Sequence, residues 1–161
     1  MFSYGSNDEK QLGDRLGRPI IEVKKAKVIG YKRIFTNSDY SKDNGGVATL
    51  KYTGNDTDDV LGYVTKLTEN EFKILDLYEG VANFKYKRIQ IKVIIKDNQK
   101  KYTIHATAYV MTKHFLKRES IGYLKPTDEY LEKVAKTINT GGWRRHTGMK
   151  FTKKDIPLNL Y

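Results

Sequence analysis

The sequence predicts an α+β fold: one domain built on a small mixed sheet or barrel of about six strands, with helices flanking it. Three observations carry this. A chain of 161 residues suffices for one core and falls short of two. Apolar and polar residues alternate at strand period in several short runs punctuated by Gly, Asn and Asp. Two other segments carry apolar residues at helical spacing between capping and stop signals.

Met1 to Tyr4 is apolar and aromatic and breaks into Gly5-Ser6-Asn7, so it reads as a short strand ending in a turn. Residues 8–19 are polar and punctuated by glycine, which suits a loop or a frayed helix. Residues 21–35 suit extended structure. Asn44-Gly45-Gly46 is a hairpin turn signal, and Val47 to Tyr52 reads as the strand that follows. Residues 59–67 read as another strand. Thr68 and Glu71 form a capping box, with Leu67 and Phe72 at the staple positions. Phe72, Leu75 and Tyr78 then share a helical face, and Gly80 terminates it. Residues 87–96 alternate, with Ile89, Ile91 and Val93 on one side and Arg88, Gln90 and Lys92 on the other. Asp97-Asn98 turns the chain, and residues 102–111 return as the partner strand. Residues 112–125 read as a loop. Pro126 opens a second helix, striped by Leu131, Val134, Ala135 and Ile138 and ended by Gly141-Gly142. The expected division is a domain over 1–142 and a basic C-terminal tail over 143–161, packed on it or extending from it.

Composition excludes several chemistries. With no cysteine there is no disulfide, thiolate metal site or Cys nucleophile. His105, His114 and His146 lack the spacing of a zinc site, so no metal is expected. Ser6 lies in no GxSxG and has no nearby histidine, which argues against a Ser-His hydrolase. The glycines at 13 and 17 form neither a GxGxxG nor a P-loop. No apolar run approaches a membrane span, and Met1 to Tyr4 has no signal-like character, so a cytoplasmic protein without membrane association is expected. The net charge of +11 is spread along the chain and suits a lysine-coated soluble surface better than a polyanion site.

Three features could carry chemistry. Tyr4-Gly5-Ser6-Asn7 is either an ordinary turn or a nest of backbone N–H groups that takes an anion. Glu79 ends a helix in an apolar, aromatic context. It is either a solvated helix-end glutamate or a carboxylate whose pKa is raised by burial into acid–base range. Asp76 competes with it and is expected to face solvent or bond locally. Tyr86, Tyr109 and Tyr130 sit at element edges and are either core tyrosines with satisfied hydroxyls or parts of a site.

Taken in order, several segments carry a resemblance. They are Tyr4-Gly5-Ser6-Asn7, Gly45-Gly46-Val47-Ala48-Thr49, Val60-Leu61-Gly62-Tyr63-Val64, Leu75-Asp76 with Glu79-Gly80, Tyr86, Tyr109-Val110-Met111-Thr112, and Pro126 to Tyr130. Together they resemble the γ-glutamylcyclotransferase family over Tyr4 to Gly141. The resemblance implies a small mixed barrel with flanking helices and an intramolecular acyl transfer using no metal or cofactor. The products are 5-oxoproline and a free amine or amino acid. It assigns substrate binding to Tyr4, Gly5, Ser6 and Asn7 and general acid–base catalysis to Glu79; Tyr86, Tyr109 and Tyr130, from their places at element edges, are expected to join the substrate-binding set. The expected partner is a small γ-glutamyl substrate, the expected assembly a monomer or homodimer, and nucleic-acid binding is disfavoured. A non-catalytic binding protein on the same fold, with a nucleic-acid or acidic partner, is the alternative. Asp8 departs from the family's usual leucine and could alter how an acidic substrate docks. Arg144, Arg145, Lys150, Lys153 and Lys154, interleaved with Trp143 and Phe151, make the tail unusually basic. Turnover is expected to survive truncation after Thr147, provided the shortened protein stays folded.

Overall fold

A computed structural model describes residues 1–36, 45–118 and 124–159. Seven strands and four helices follow one another in the order β1 Phe2–Ser3, α1 Glu9–Leu16, β2 Lys24–Ile29, β3 Tyr31–Thr36, β4 Val47–Tyr52, β5 Asp59–Val64, α2 Glu69–Glu79, β6 Tyr86–Asp97, β7 Lys100–Met111, α3 Lys113–Arg118 and α4 Asp128–Thr140. Five strands form a sheet in the order β1-β5-β2-β6-β7, and β3 and β4 form a separate pair. Every pairing within them is antiparallel.

The expected single α+β domain with flanking helices is what forms; its strands make two antiparallel sheets and, among the described residues, do not close into a barrel. The outer strands of the five-stranded sheet nevertheless meet: the Tyr4 hydroxyl, just past β1, donates to the Tyr109 carbonyl of β7. The Met111 N–H of β7 donates to Thr49 Oγ1 of β4 at 2.8 Å. Strand twist rolls the sheet until side chains, rather than a backbone ladder, join its ends. Ile91, Val93 and Ile95 of β6 alternate inward, as period two requires, and pack with Val134 and Ile138 of α4.

A second cluster joins α1 to α2. Leu12 and Leu75 are both fully buried there, beside Tyr63 and Met1. Each contributes about 1.5–3 kcal/mol by leaving water. This packing sets the last turn of α1 beside the last turn of α2.

Several local expectations change. Residues 9–16 form a helix because the Asp8 carboxylate accepts from the Gln11 N–H at 2.8 Å. The extended stretch 21–35 breaks at Gly30, whose φ of +83° suits glycine. Gly45 and Gly46 are not the tip of a tight hairpin, since residues 37–46 separate β3 from β4; Asn44 lies outside the described residues. Gly46 serves close approach instead, because a Cβ there would lie 2.0 Å from the Leu124 carbonyl oxygen. The expected loop 112–125 contains α3, begun where Thr112 Oγ1 accepts from the Phe115 N–H at 3.1 Å.

The C-terminal segment lies against the body. Trp143 donates its indole N–H to the Gly62 carbonyl at 2.9 Å, and Ile156 is buried in the main core. Asn139 of α4 exchanges two hydrogen bonds with the Phe151 backbone, at 2.8 and 2.9 Å.

Candidate functional site

A cavity of about 630 Å³ opens between the β1–α1 turn, the end of α2, the start of β4 and α4. Tyr4, Gly5, Ser6, Asn7, Glu79, Tyr86, Tyr109 and Tyr130 all line it. Its size suits a small molecule.

The turn is clamped from behind. The Tyr4 carbonyl accepts from Arg33 Nε at 2.7 Å, the Gly5 carbonyl from the Thr137 hydroxyl at 2.7 Å, and the Ser6 carbonyl from the Asp8 N–H at 2.9 Å. The Asn7 carbonyl accepts from Ser3 at 2.6 Å and Tyr63 at 2.7 Å. In a trans peptide the N–H points opposite to its carbonyl. Anchoring these carbonyls therefore turns the N–H groups of Gly5, Ser6 and Asn7 the other way. Two cations flank the turn: Arg15 beside Asn7 and Arg33 beneath Tyr4. Burial pushes Arg33 down to about 10, which leaves it positive at neutral pH.

Glu79 is the last residue of α2. Gly80 follows with φ +65°, and its N–H closes onto the Asp76 and Leu77 carbonyls. That left-handed cap stops the helix immediately after the carboxylate. Glu79 Oε1 accepts from Asn7 Nδ2 at 3.2 Å and lies 3.5 Å from Arg15 Nη1. Its side chain is 15% exposed, toward the cavity. Burial raises its pKa above the ordinary carboxylate value; Arg15 and the Asn7 hydrogen bond oppose that rise, and Asp76 adds to it. Asn7 Oδ1 accepts from Arg15 at 2.9 Å and Gln11 at 3.2 Å, which fixes its amide with the NH₂ toward Glu79.

Asp76 is neither solvent-facing nor locally bonded. Its two carboxylate oxygens accept from Arg88 Nε at 2.8 Å and Nη2 at 2.6 Å, and one also accepts from the Tyr109 hydroxyl at 2.7 Å. Arg88 above all, and then Tyr109, hold its pKa below the ordinary value. The Tyr109 hydroxyl is spent on Asp76, so this residue gives the cavity a ring wall rather than a donor.

Tyr86 donates to the Ala48 carbonyl at 3.1 Å, and Tyr130 accepts from the Ala48 N–H at 2.9 Å. The Tyr130 hydroxyl thereby keeps its own proton to donate. Burial pushes its pKa up to about 12 and raises those of Tyr4 and Tyr86 as well, so all three stay protonated. The Asp8 carboxylate caps α1 and does not line the cavity, so it stands apart from any docking ligand.

Arg15, Gln11 and Arg33 are the site-shaping residues that sequence reasoning missed. The first two follow once Asp8 and Gln11 are read as a cap and its first turn. Nothing in the sequence marks Arg33, which is distant along the chain and buried.

Comparisons with known proteins come from three directions. A search of curated sequences finds no match. Among solved structures, a gamma-glutamyl cyclotransferase superimposes with TM-score 0.73 at 24% identity, covering 99% of this chain and 88% of that one. An uncharacterized human protein superimposes with TM-score 0.72 at 25% identity, with the same coverages. A yeast gamma-glutamyl cyclotransferase specific to glutathione gives TM-score 0.54 at 14% identity, covering 91% of this chain and 96% of that one. These likenesses establish the fold. The model of the family described as gamma-glutamyl cyclotransferase, AIG2-like, matches residues 1–145, a span holding the turn, Glu79 and every tyrosine of the cavity wall. By that match the chain belongs to the AIG2-like gamma-glutamyl cyclotransferase family.

Proposed function

We propose that this protein cleaves a γ-glutamyl amide into 5-oxoproline and a free amine or amino acid, with Glu79 moving the protons. One observation carries the reading: the raised-pKa carboxylate of Glu79 is bonded to the side chain of Asn7, in the same cavity as the clamped Tyr4–Asn7 turn. A γ-glutamyl head group carries an α-carboxylate and an α-ammonium. The carboxylate suits the N–H groups of Gly5, Ser6 and Asn7 with Arg15 and Arg33 behind them. The ammonium suits Glu79.

The chemistry balances on the substrate's own atoms. The α-nitrogen attacks the γ-carbonyl carbon, a C–N bond closes the five-membered ring, and the C–N bond to the leaving amine breaks. The attacking ammonium gives up two protons, and the leaving nitrogen gains two as it departs as an ammonium. Glu79 takes them from one nitrogen and returns them to the other. Its raised pKa brings it nearer the working pH in both directions. Folding the substrate so that its ends meet exploits an effective molarity equivalent to about 7–11 kcal/mol at best. In this reading the Tyr130 hydroxyl proton serves the oxyanion that develops on the γ-carbonyl. Tyr4, Tyr86 and Tyr109 wall the head group.

The test is a panel of γ-glutamyl amides assayed for 5-oxoproline and free amine in equal amounts. Glu79→Gln is expected to lower kcat by about 10²–10⁴-fold while leaving substrate binding in place. Wild-type-like turnover by that variant defeats the assignment.

A further inference from the structure

The cavity accounts for little of the net charge of +11, and the tail accounts for less than its sequence promises. Arg145 is paired with Asp155 at 3.1 Å, and Lys153 with Asp128 at 3.2 Å. A concentrated patch of like charge lies elsewhere, on the outer face of the five-stranded sheet. Lys25 of β2 stands directly opposite Lys96 of β6, and Lys96 directly opposite Lys101 of β7. Residues opposite one another in antiparallel strands share a face, and like charges there destabilise the sheet. Lys27, two residues along from Lys25, joins the same face. Lys25, Lys27 and Lys96 are half-buried, so water relieves their repulsion only in part.

Among the described residues none of the four forms an ion pair, whereas Lys24, facing the other way, pairs with Asp97 at 3.2 Å. The Lys96 ammonium is held below its ordinary pKa by Lys27 first, then by burial, Lys101 and Lys25, with Asp59 opposing. The Trp143 ring lies beneath two of them, with Lys25 Nζ 5.1 Å and Lys96 Nζ 5.5 Å from its centre. Its indole N–H is fixed on the Gly62 carbonyl. Repulsion retained across three neighbouring strands, beside a fixed ring, marks a surface whose counter-charge comes from another molecule.

We infer that Lys25, Lys27, Lys96 and Lys101, gathered around Trp143, form a docking face for the phosphate backbone of a single-stranded nucleic acid. The face's chemistry selects this occupant. Membranes and protein interfaces take apolar area along with charge. Among the described residues, Tyr102 and Ile104 are the only exposed large apolar side chains on β2, β6 and β7, and both point to the opposite side by strand alternation. Lysines alone suffice for a phosphate backbone. Because cations already cover the indole, bases gain no stacking platform, and binding is indifferent to sequence. None of the four lysines lines the cavity, so this face stands independently of the catalytic reading.

Trp143 is the only tryptophan and reports on the face directly. Its fluorescence is followed while a short oligothymidylate is added at several salt concentrations. Four phosphate contacts on a single strand give a log–log salt slope of about −3, or about 50-fold weaker binding at 200 than at 50 mM salt. K25Q/K27Q/K96Q/K101Q is expected to abolish the response and to melt no lower than wild type, since repulsion is removed. K27Q/K101Q, which leaves the lysines over Trp143, is expected to halve the slope and decides the matter should the quadruple variant fold poorly. R144Q/K150Q/K154Q, on the tail, is expected to bind as wild type does. The inference is overturned by no response at low salt, by salt-independent binding, by retained binding in the quadruple variant, by an unchanged slope in K27Q/K101Q, or by a lysine-dependent response to phosphatidylserine vesicles but not to the oligonucleotide.

Discussion

Glu79 and Asp76 stand three residues apart on α2, and their surroundings push them in opposite directions. Asp76 has a two-pronged Arg88 partner and stays charged; Glu79 is enclosed by protein with Arg15 at the longer distance of 3.5 Å. The sign of each effect on stability can be worked through. Between the ordinary carboxylate value and the raised value of Glu79, the folded protein holds a proton that the unfolded chain has released. Stability therefore falls as pH rises through that window and remains lowered above it. Glu79→Gln has no such proton to lose. It is expected to melt higher than wild type at pH 7, with the gap closing below about pH 4, as thermal melts at both pH values would reveal. A lower melting temperature at pH 7 would mean that Arg15 and Asn7 outweigh burial. Asp76 runs the other way: its depressed pKa gives stability present above the ordinary value and lost as pH falls through the folded value. Asp76→Asn should cost about 1.5–3 kcal/mol at neutral pH, the worth of hydrogen bonds to a charged group. Its effect on kcat should be far smaller than that of Glu79→Gln, and equal losses would overturn the choice between the two carboxylates. Glu79 was legible in the sequence because a glutamate followed by glycine ends a capped helix in a family motif. The Asp76–Arg88–Tyr109 linkage was not, since its partners lie 12 and 33 residues away and local patterns carry no information about them.

The helix α1 matters at the scale of elements because it delivers Arg15 to the end of α2. Its sequence hides it: only Leu12 is buried, Gly13 interrupts it, and a single inward residue makes no stripe. The capped and stapled α2 was legible because its signals are local, and so was the β6–β7 pairing, whose alternation and turn lie within one hairpin. The meeting of β1 with β7 and the packing of Gly46 against Leu124 are long-range contacts, which explains why the barrel expectation gave way to two sheets. Arg15 Nη1 lies 2.9 Å from Asn7 Oδ1 and 3.5 Å from Glu79 Oε1, and its guanidinium carbon lies 4.8 Å from the centre of the Tyr78 ring. Its contacts give it the part of a positioning residue that acts through Glu79 and Asn7 in the proposed mechanism. Of the influences that oppose burial at Glu79, Arg15 is the largest. Arg15→Gln should therefore raise the pKa of Glu79 further and move the acidic limb of the kcat/KM profile to higher pH, while Arg15→Lys restores most of the original position. A fall in kcat at every pH without movement of that limb would leave Arg15 as a packing residue only.

For the molecule as a whole, the segment after α4 decides how far the fold extends beyond the span matched by the family model. Charge and missing periodicity left it either packed on the domain or extending from it, since neither shows what a tail touches. Trp143 sits on β2 and β5 through the Ala26 and Gly62 carbonyls, at 3.3 and 2.9 Å. Ile156 is 4% exposed within the main core. Asn159 donates to the Arg33 carbonyl at 2.8 Å, on the strand whose guanidinium clamps the turn. Removing everything after Gly142 would uncover this core surface and unpair Asn139. Ile156→Ala alone should cost about 2–5 kcal/mol. Marginal domains hold about 5–15 kcal/mol in total, so the full truncation should melt far below wild type or fail to fold. Ile156 does not line the cavity. The Ile156→Ala protein, assayed well below its melting temperature, should therefore keep the wild-type kcat and KM for 5-oxoproline release. The two measurements separate support from chemistry. A truncated protein that melts with wild type would make the tail a mere attachment. An Ile156→Ala protein that stays folded but loses turnover would instead tie the tail to the site through Asn159, Arg33 and the clamped turn.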